Sequence, residues 1–189
     1  MIDEDIVFKA SEFAARAHAG QKRKDNVTPY IVHPARVAMT VAVCMYNYPM
    51  LEGRTRDEAI AAAWLHDVIE DTLTSFEDIG KEFPDNVFGM VYLLTNNKDL
   101  DGSRPERKQR ERERLAPAPE AVRLIKLADR FDNVKDLDGL SEKFQKMYAL
   151  ETRHLVLALT NKSICNSGLQ VAQGINEIID PLIPRPEEA

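Results

Sequence analysis

The sequence is short of the residues that staple small extracellular domains and punctuate sheets. It holds only two cysteines, Cys44 and Cys165, far apart and set in apolar or mixed stretches. Two such thiols argue against a disulfide framework and fit a reducing, cytoplasmic home. The N-terminus, Met1-Ile2-Asp3-Glu4-Asp5, is acidic and lacks the basic, apolar, small-residue order of a secretory leader. No apolar run approaches the length of a membrane span. Positive charge is not in excess either: the formal net charge is -6. That disfavours nucleic acid and anionic membrane as partners, and it obliges a phosphate-bearing ligand to find local cations. Strict two-residue alternation is missing, and with it the signal for half-buried strands. There is no internal repeat and no interdomain linker.

What is present is a soluble, globular composition, 44% apolar and 30% charged over 189 residues, enough for one domain with a real core. Helical periodicity dominates. Ile6, Ala10, Phe13, Ala14 and Ala17 predict a first helix over residues 4–18. A polar loop, Gly20 to Pro29, follows. His33-Pro34 opens a second helix, with proline in its first turn, running to about Asn47. Thr55 and Glu58 have capping-box spacing and start a third helix that runs through His66-Asp67. Thr74 with Glu77 predicts a short helix, and Pro84-Asp85 opens one over 85–95. Ser103 with Glu106 starts a very polar helix ending near Ala116-Pro117. Glu120 to Val134 and Ser141 to about Leu159 are strongly helical, and 167–183 is a weaker last helix containing Gly174. The expectation is an all-α, multi-helix orthogonal bundle: one domain over 1–183 and a flexible tail at 184–189, where prolines cluster.

Polar residues stand where such helices place apolar ones. His66-Asp67 follows Ala61-Ala62-Ala63-Trp64-Leu65 and precedes Val68-Ile69. An unpaired carboxylate there carries a large desolvation penalty, which a divalent cation would cancel. Asp129 lies on the stripe Val122, Ile125, Asp129, Asn133, and His33 sits at the mouth of the second helix. Imidazoles with carboxylates suit Mn or Fe, with Zn open. Glu70 and Asp71 fall one helical turn after His66 and Asp67. Each residue also has an ordinary reading. Histidines like His33 often cap helices or sit in cores, Asp129 has Lys126 and Arg130 to pair with, and His-Asp is a short dipeptide. The case lies in the combination.

His33, His66-Asp67 and Asp129, in that order, resemble the H…HD…D signature of the HD phosphohydrolase superfamily. The segments Ala17-His18-Ala19-Gly20-Gln21-Lys22-Arg23-Lys24 and Thr28-Pro29-Tyr30-Ile31-Val32-His33-Pro34 are similar to the start of the Rel/Spo-type (p)ppGpp hydrolase domain. So are Leu65-His66-Asp67-Val68-Ile69-Glu70-Asp71-Thr72 and Ile125-Lys126-Leu127-Ala128-Asp129-Arg130 with Asn133. Glu106-Arg107-Lys108-Gln109-Arg110, with Pro119 ahead of the Asp129 motif, resembles the stand-alone small alarmone hydrolases, the metazoan SpoT-homologue group. The matches span roughly residues 14–135.

The resemblance implies one Mn(II) held by His33, His66, Asp67 and Asp129, acidifying water and neutralising phosphate charge. It makes Glu70 and Asp71 the catalytic carboxylates, without separating their roles. The implied reaction removes the 3′-pyrophosphate of guanosine 3′,5′-bis(diphosphate), ppGpp or pppGpp. Arg23 and Lys24 would contact base and phosphates, Lys98, Arg107 and Lys108 would cover phosphates, and Asn133 would hold ribose or phosphate. Tyr148 is a further stacking candidate at the nucleoside, although aromatics in such helices are usually core. For most of Arg104 to Arg114, six Arg or Lys and three Glu, a solvated, salt-bridged helix face is the better reading. Two departures bear on substrate: Asp25-Asn26-Val27-Thr28 lacks the glycine usual before Pro-Tyr, and Asp101-Gly102-Ser103 shifts the register of Lys98 against Arg107. The alternatives are an HD phosphatase for another 2′- or 3′-phosphorylated nucleotide, such as NADPH or pppApp, and a non-catalytic alarmone-binding module. Oligomeric state has no signal, and a homodimer stays open.

Overall fold

The computed structural model describes residues 4–46, 53–96 and 102–183. Within them the chain forms ten α-helices and one 3-10 turn. The only extended pairing there is an isolated bridge between Lys22 and Pro29. The all-α expectation therefore holds. No described helix is long and apolar enough to cross a membrane. Two compact units divide the chain, Met1–Asp101 and Gly102–Ala189. The predicted tail at 184–189 and the predicted site residue Lys98 lie outside the described residues.

The first unit contains α1 (Glu4–Ala17), α2 (Val32–Tyr46), α3 (Gly53–Leu65), α4 (Val68–Asp71), α5 (Phe76–Glu82) and α6 (Asp85–Leu94). Its centre is α3, which packs against α1, α2 and α6. Ala59, Ala61, Ala62, Ala63 and Leu65 of α3 are all fully buried. Side chains that end at Cβ let three neighbours approach one helix closely, so the alanine run is a packing device. Ala10 and Ala14 of α1 are buried in the same way.

Two caps differ from the sequence expectation. The third helix begins at Gly53, which puts Thr55 inside its first turn. The Glu58 carboxylate instead accepts from the Asn86 amide of α6 at 3.1 Å. The next cap is shifted by one residue, from Thr74 and Glu77 to Ser75 and Asp78. Thr74 is already engaged, because its N–H donates to the Thr72 hydroxyl at 3.0 Å in the turn after α4. The third helix also stops at Leu65 rather than running through His66-Asp67.

The second unit contains α7 (Arg104–Leu115), α8 (Glu120–Val134), α9 (Glu142–Thr160), α10 (Asn166–Ile179) and a 3-10 turn, Asp180–Leu182. The predicted start of α7 is present: the Glu106 carboxylate accepts from the N–H and the hydroxyl of Ser103 at 2.7 and 2.8 Å. Every residue of α8 from Val122 to Arg130 is buried. Arg123 is among them, and its guanidinium donates to the carbonyls of Ala118, Leu159, Lys162 and Ser163. It thereby caps the end of α9, whose last carbonyls have no intrahelical donor. Gly174 explains itself by packing: a Cβ there would lie 3.1 Å from the Phe131 ring of α8. The helix expected over 167–183 ends at Ile179, where Pro181 enters the 3-10 turn.

Candidate metal and catalytic site

In the first unit, the turn at Tyr30 feeds directly into α2. The His33 N–H donates to the Tyr30 carbonyl at 2.9 Å, and Pro34 fits the first turn because no helical partner is needed for its missing N–H. This delivers His33 into the interior, 1% exposed. His66 and Asp67 occupy the break between α3 and α4. Breaking the helix there frees both side chains from the helical stripe, and Asp71 N–H then closes a fresh turn onto the Asp67 carbonyl at 2.9 Å.

The three side chains converge. His66 Nδ1 lies 2.8 Å from the Ala63 carbonyl, so it must donate, and in the neutral ring Nε2 carries the lone pair. His66 Nε2 and His33 Nε2 are 3.3 Å apart. Asp67 Oδ2 lies 3.4 Å from the first imidazole's Nε2 (His33) and 3.1 Å from the second's (His66). With these atoms facing one another, a shared proton or a metal ion among them relieves the repulsion between their lone pairs. Burial works to raise the Asp67 carboxyl, but the adjoining imidazoles of His66 and His33 override it and hold the group well below the usual carboxylate range. Two imidazole nitrogens and a carboxylate oxygen, with one ring fixed by a backbone carbonyl, form a donor set that suits a first-row divalent ion.

Around this cluster, the Tyr30 hydroxyl donates to Asp67 Oδ2 at 2.7 Å and to Asp71 Oδ2 at 2.9 Å. Burial, and then the two carboxylate charges, push that phenol far above its ordinary value, so it stays a donor. Asp71 and Glu70 both line an open cleft of about 850 Å³, with Gln21, Thr72 and Lys81 on its wall. Glu70 faces a different anchor: its Oε1 accepts from the Asn96 N–H at 2.6 Å and from the Asn96 amide at 3.0 Å. Arg23 is half-buried, with its guanidinium carbon 5.7 Å from the Tyr30 ring centroid, while Lys24 is exposed. The turn lacking the usual glycine is made by Asn26 at φ +59°. Asparagine tolerates that left-handed conformation.

In the second unit, Asp129 is buried and doubly held. Lys126 Nζ lies 2.9 Å from Oδ2, and the Asn133 amide donates to Oδ1 at 2.5 Å. Lys126 also lies 3.1 Å from Glu111, which Lys108 meets at 2.7 Å. Glu111 is 2% exposed, so this part of α7 is not the solvated face expected of the Arg104–Arg114 run. Arg104 likewise leaves that face to fork onto Glu151 of α9. Arg107 is exposed and donates to the Gly102 carbonyl. Tyr148 is half-buried, with the Arg130 guanidinium carbon 4.7 Å from its ring centroid. Each unit thus assembles its own predicted residues: His33, His66, Asp67, Glu70 and Asp71 in the first, Asp129, Asn133, Lys108 and Tyr148 in the second.

Comparison with known proteins decides the family, since an HD-domain family model matches residues 10–163. The chain belongs to the HD-domain family. Membership implies a divalent metal, in keeping with the donors described above. Among curated relatives, the guanosine-3′,5′-bis(diphosphate) 3′-pyrophosphohydrolase MESH1 of Xenopus tropicalis is 37% identical over 153 residues, covering 77% of this HD protein and 80% of the relative. The Drosophila melanogaster MESH1 is 40% identical over 129 residues, covering 67% and 66%. A protein of Aquifex aeolicus with the same enzymatic name is 35% identical over 155 residues, but the alignment spans only 21% of it. A solved structure described as a metazoan ortholog of SpoT that hydrolyzes ppGpp superimposes with a TM-score of 0.79 at 29% identity, covering 96% of this chain and 97% of that one.

Tyr30, Gln21, Asn96, Lys126 and Glu111 were not singled out as site residues by sequence. For Tyr30 the signal was present, because it precedes His33 by one turn inside the motif. Asn96 had no local signal, since it meets Glu70 from 26 residues away.

Proposed function

We propose that this HD protein hydrolyses guanosine 3′,5′-bis(diphosphate), ppGpp or pppGpp, at the 3′-pyrophosphate. Water adds across the bond between the 3′-oxygen and phosphorus. The products are GDP or GTP with a free 3′-hydroxyl, and pyrophosphate. The observation that carries the reading is the meeting of His33, His66 and Asp67 at 3.1–3.4 Å, in a chain whose HD-domain match extends over most of its length. The names of the MESH1 relatives supply the substrate class.

His33, His66, Asp67 and Asp129 are the ligands in this reading, and Mn(II) is the ion, with Fe or Zn as substitutes. When bound, the ion supplies Lewis acidity and screens phosphate charge. The protein's own groups do the rest. Asp67 would supply a carboxylate oxygen to such an ion, from the side chain that already faces both imidazoles. Glu70 and Asp71 orient water and take its proton. Arg23 and Lys24 attract the base and phosphates, Lys98, Arg107 and Lys108 cover phosphates, and Asn133 and Tyr148 hold the nucleoside end. A guanidinium suits stacking on a purine, whereas an ammonium acts as a point charge. The reduced thiols of Cys44 and Cys165 support a cytoplasmic setting.

The test is an assay with added Mn(II) against ppGpp, pppGpp, pppApp and NADPH, with products identified by anion-exchange chromatography and phosphorus NMR. Pyrophosphate and GDP from ppGpp are expected, and Asp67→Ala should abolish them. Faster turnover of pppApp or NADPH would move the assignment to another nucleotide. Binding of ppGpp without turnover by the Mn-loaded protein would make it an alarmone-binding module.

A further inference from the structure

Asp67 and Asp71 sit one helical turn apart and present oxygens to a single donor. The Tyr30 hydroxyl reaches Asp67 Oδ2 at 2.7 Å and Asp71 Oδ2 at 2.9 Å. Two carboxylates this close repel each other, and a shared proton donor between them offsets part of that cost. The donor is itself held. Its ring lies 4.7 Å from the His18 ring, tilted by 33°, and 5.8 Å from the His33 ring in an edge contact. Its own N–H donates to the Gln21 carbonyl at 2.9 Å.

The same loop grips α4 at a second point. The Gln21 side-chain amide donates to the Asp71 backbone carbonyl at 2.6 Å. Its Oε1 faces His18 Nδ1 at 2.8 Å. A closed circuit results: His18 orients Gln21, Gln21 holds the backbone of Asp71, and Tyr30 holds its carboxylate while touching Asp67. The carboxylate pair is therefore fixed from outside the helix that carries it. A tyrosine needed only for packing would not require its oxygen at this position.

We infer that Tyr30 is a positioning residue that couples the Asp67 ligand to the Asp71 carboxylate, setting their separation through one hydroxyl. The inference rests on the functional reading above for the roles of those two carboxylates. It assigns Tyr30 no bond to substrate and no proton of its own to transfer. Partners of this kind typically change metal affinity or activity by about 10- to 100-fold when removed.

The experiment is Tyr30→Phe, which keeps the ring contacts and removes the oxygen. Mn(II) is titrated into metal-stripped protein by calorimetry, kcat and KM for ppGpp are measured separately, and Tm is read by differential scanning calorimetry. The expected result is Mn affinity weakened about 10-fold or more and kcat reduced about 10- to 100-fold, with KM close to wild type and the Tm of the metal-free protein lowered by no more than a few degrees. Wild-type Mn affinity together with wild-type kcat would overturn the inference. Gln21→Ala, which loosens the same loop without touching the hydroxyl, should move both readouts in the same direction, and it serves where Tyr30→Phe does not fold. If the wild-type chain neither binds Mn nor turns over ppGpp, the functional reading fails by itself. The coupling is then read from unfolding of metal-free protein in a double-mutant cycle of Tyr30→Phe with Asp71→Asn, where a non-zero interaction supports the clamp and additivity overturns it.

Discussion

The Lys126 ammonium lies 2.9 Å from Asp129 Oδ2 and is buried with it, so the carboxylate already has a cation of the protein's own. Lys126 is balanced in turn by Glu111 at 3.1 Å. Burial works to raise the Glu111 carboxyl, yet Lys126, Lys108 and Arg130 hold it far below the usual carboxylate range. A depressed folded value means that this stabilisation is complete above the unfolded value near 4.5 and is lost as pH falls below it. Glu111→Gln removes the carboxylate that faces buried Lys126 and half-buried Lys108, and should cost about 3 kcal/mol. Urea melts from pH 7 to pH 3 check this: the variant's stability should change less than wild type below pH 4.5.

Removing metal tests the His33, His66 and Asp67 cluster from the other side. A ligand that binds only the folded state stabilises it by about 2.7 kcal/mol at 100 times its dissociation constant. For a chain of this size that corresponds to a Tm shift of about 5–10 °C. EDTA treatment should lower Tm by that amount and abolish ppGpp turnover, and added Mn(II) should restore both. Asp67→Ala should show the same low Tm with or without Mn(II). Differential scanning fluorimetry of these five samples, with a ppGpp turnover assay beside it, decides the matter.

Much of this molecule was legible in its sequence, for reasons that can be traced to particular residues. Periodicity located α8 to the residue, because proline precedes Glu120 and apolar side chains recur through Val134. The four ligand candidates stood out because charge among apolar neighbours demands a partner. The break at His66-Asp67 was not legible, since no glycine or proline marks it. The cause is tertiary: both side chains turn toward His33, which is 33 residues away. The cap at Ser75 was missed because the neighbouring Thr74 carries equally good local chemistry. Their hydrogen-bond partners decide between them, and spacing does not record those. The burial of Glu111 was hidden by a run of charges that reads as solvent-facing.

Arg123 shows what a fork can do that a point charge cannot. Its nitrogens reach the carbonyls of Ala118, Leu159, Lys162 and Ser163 at 2.6–3.3 Å while 4% exposed. Arg123→Lys keeps the charge but cannot span these acceptors. Each buried carbonyl left without a donor costs about 1–3 kcal/mol, so the substitution should destabilise by at least about 2 kcal/mol. The kcat of the folded fraction should stay at the wild-type value. Denaturant melts paired with activity measured well below the transition separate the two effects.

The turn at Asp25 and Asn26 joins backbone conformation to the loop that carries Arg23 and Lys24. The Asp25 carboxylate accepts from the Thr28 hydroxyl at 2.6 Å and from the N–H groups of Val27 and Thr28 at 2.8 Å. These bonds lower its pKa to about 2, the Thr28 hydroxyl contributing most. The turn should therefore persist through mild acid and loosen only as pH falls from the ordinary value near 3.8 through about 2, which the amide NMR signals of Val27 and Thr28 report. Asn26 supplies the positive φ that the turn requires. Asn26→Gly should leave both the turn and the KM for ppGpp unchanged, because glycine takes that conformation without strain. Asn26→Val adds a β-branched side chain to a left-handed residue, at about 1–2 kcal/mol. The strain is relieved by opening the turn, so Asn26→Val should raise KM several-fold with little change in kcat. Equal rises in KM for both variants would mean that the asparagine side chain, rather than the backbone it permits, serves the substrate.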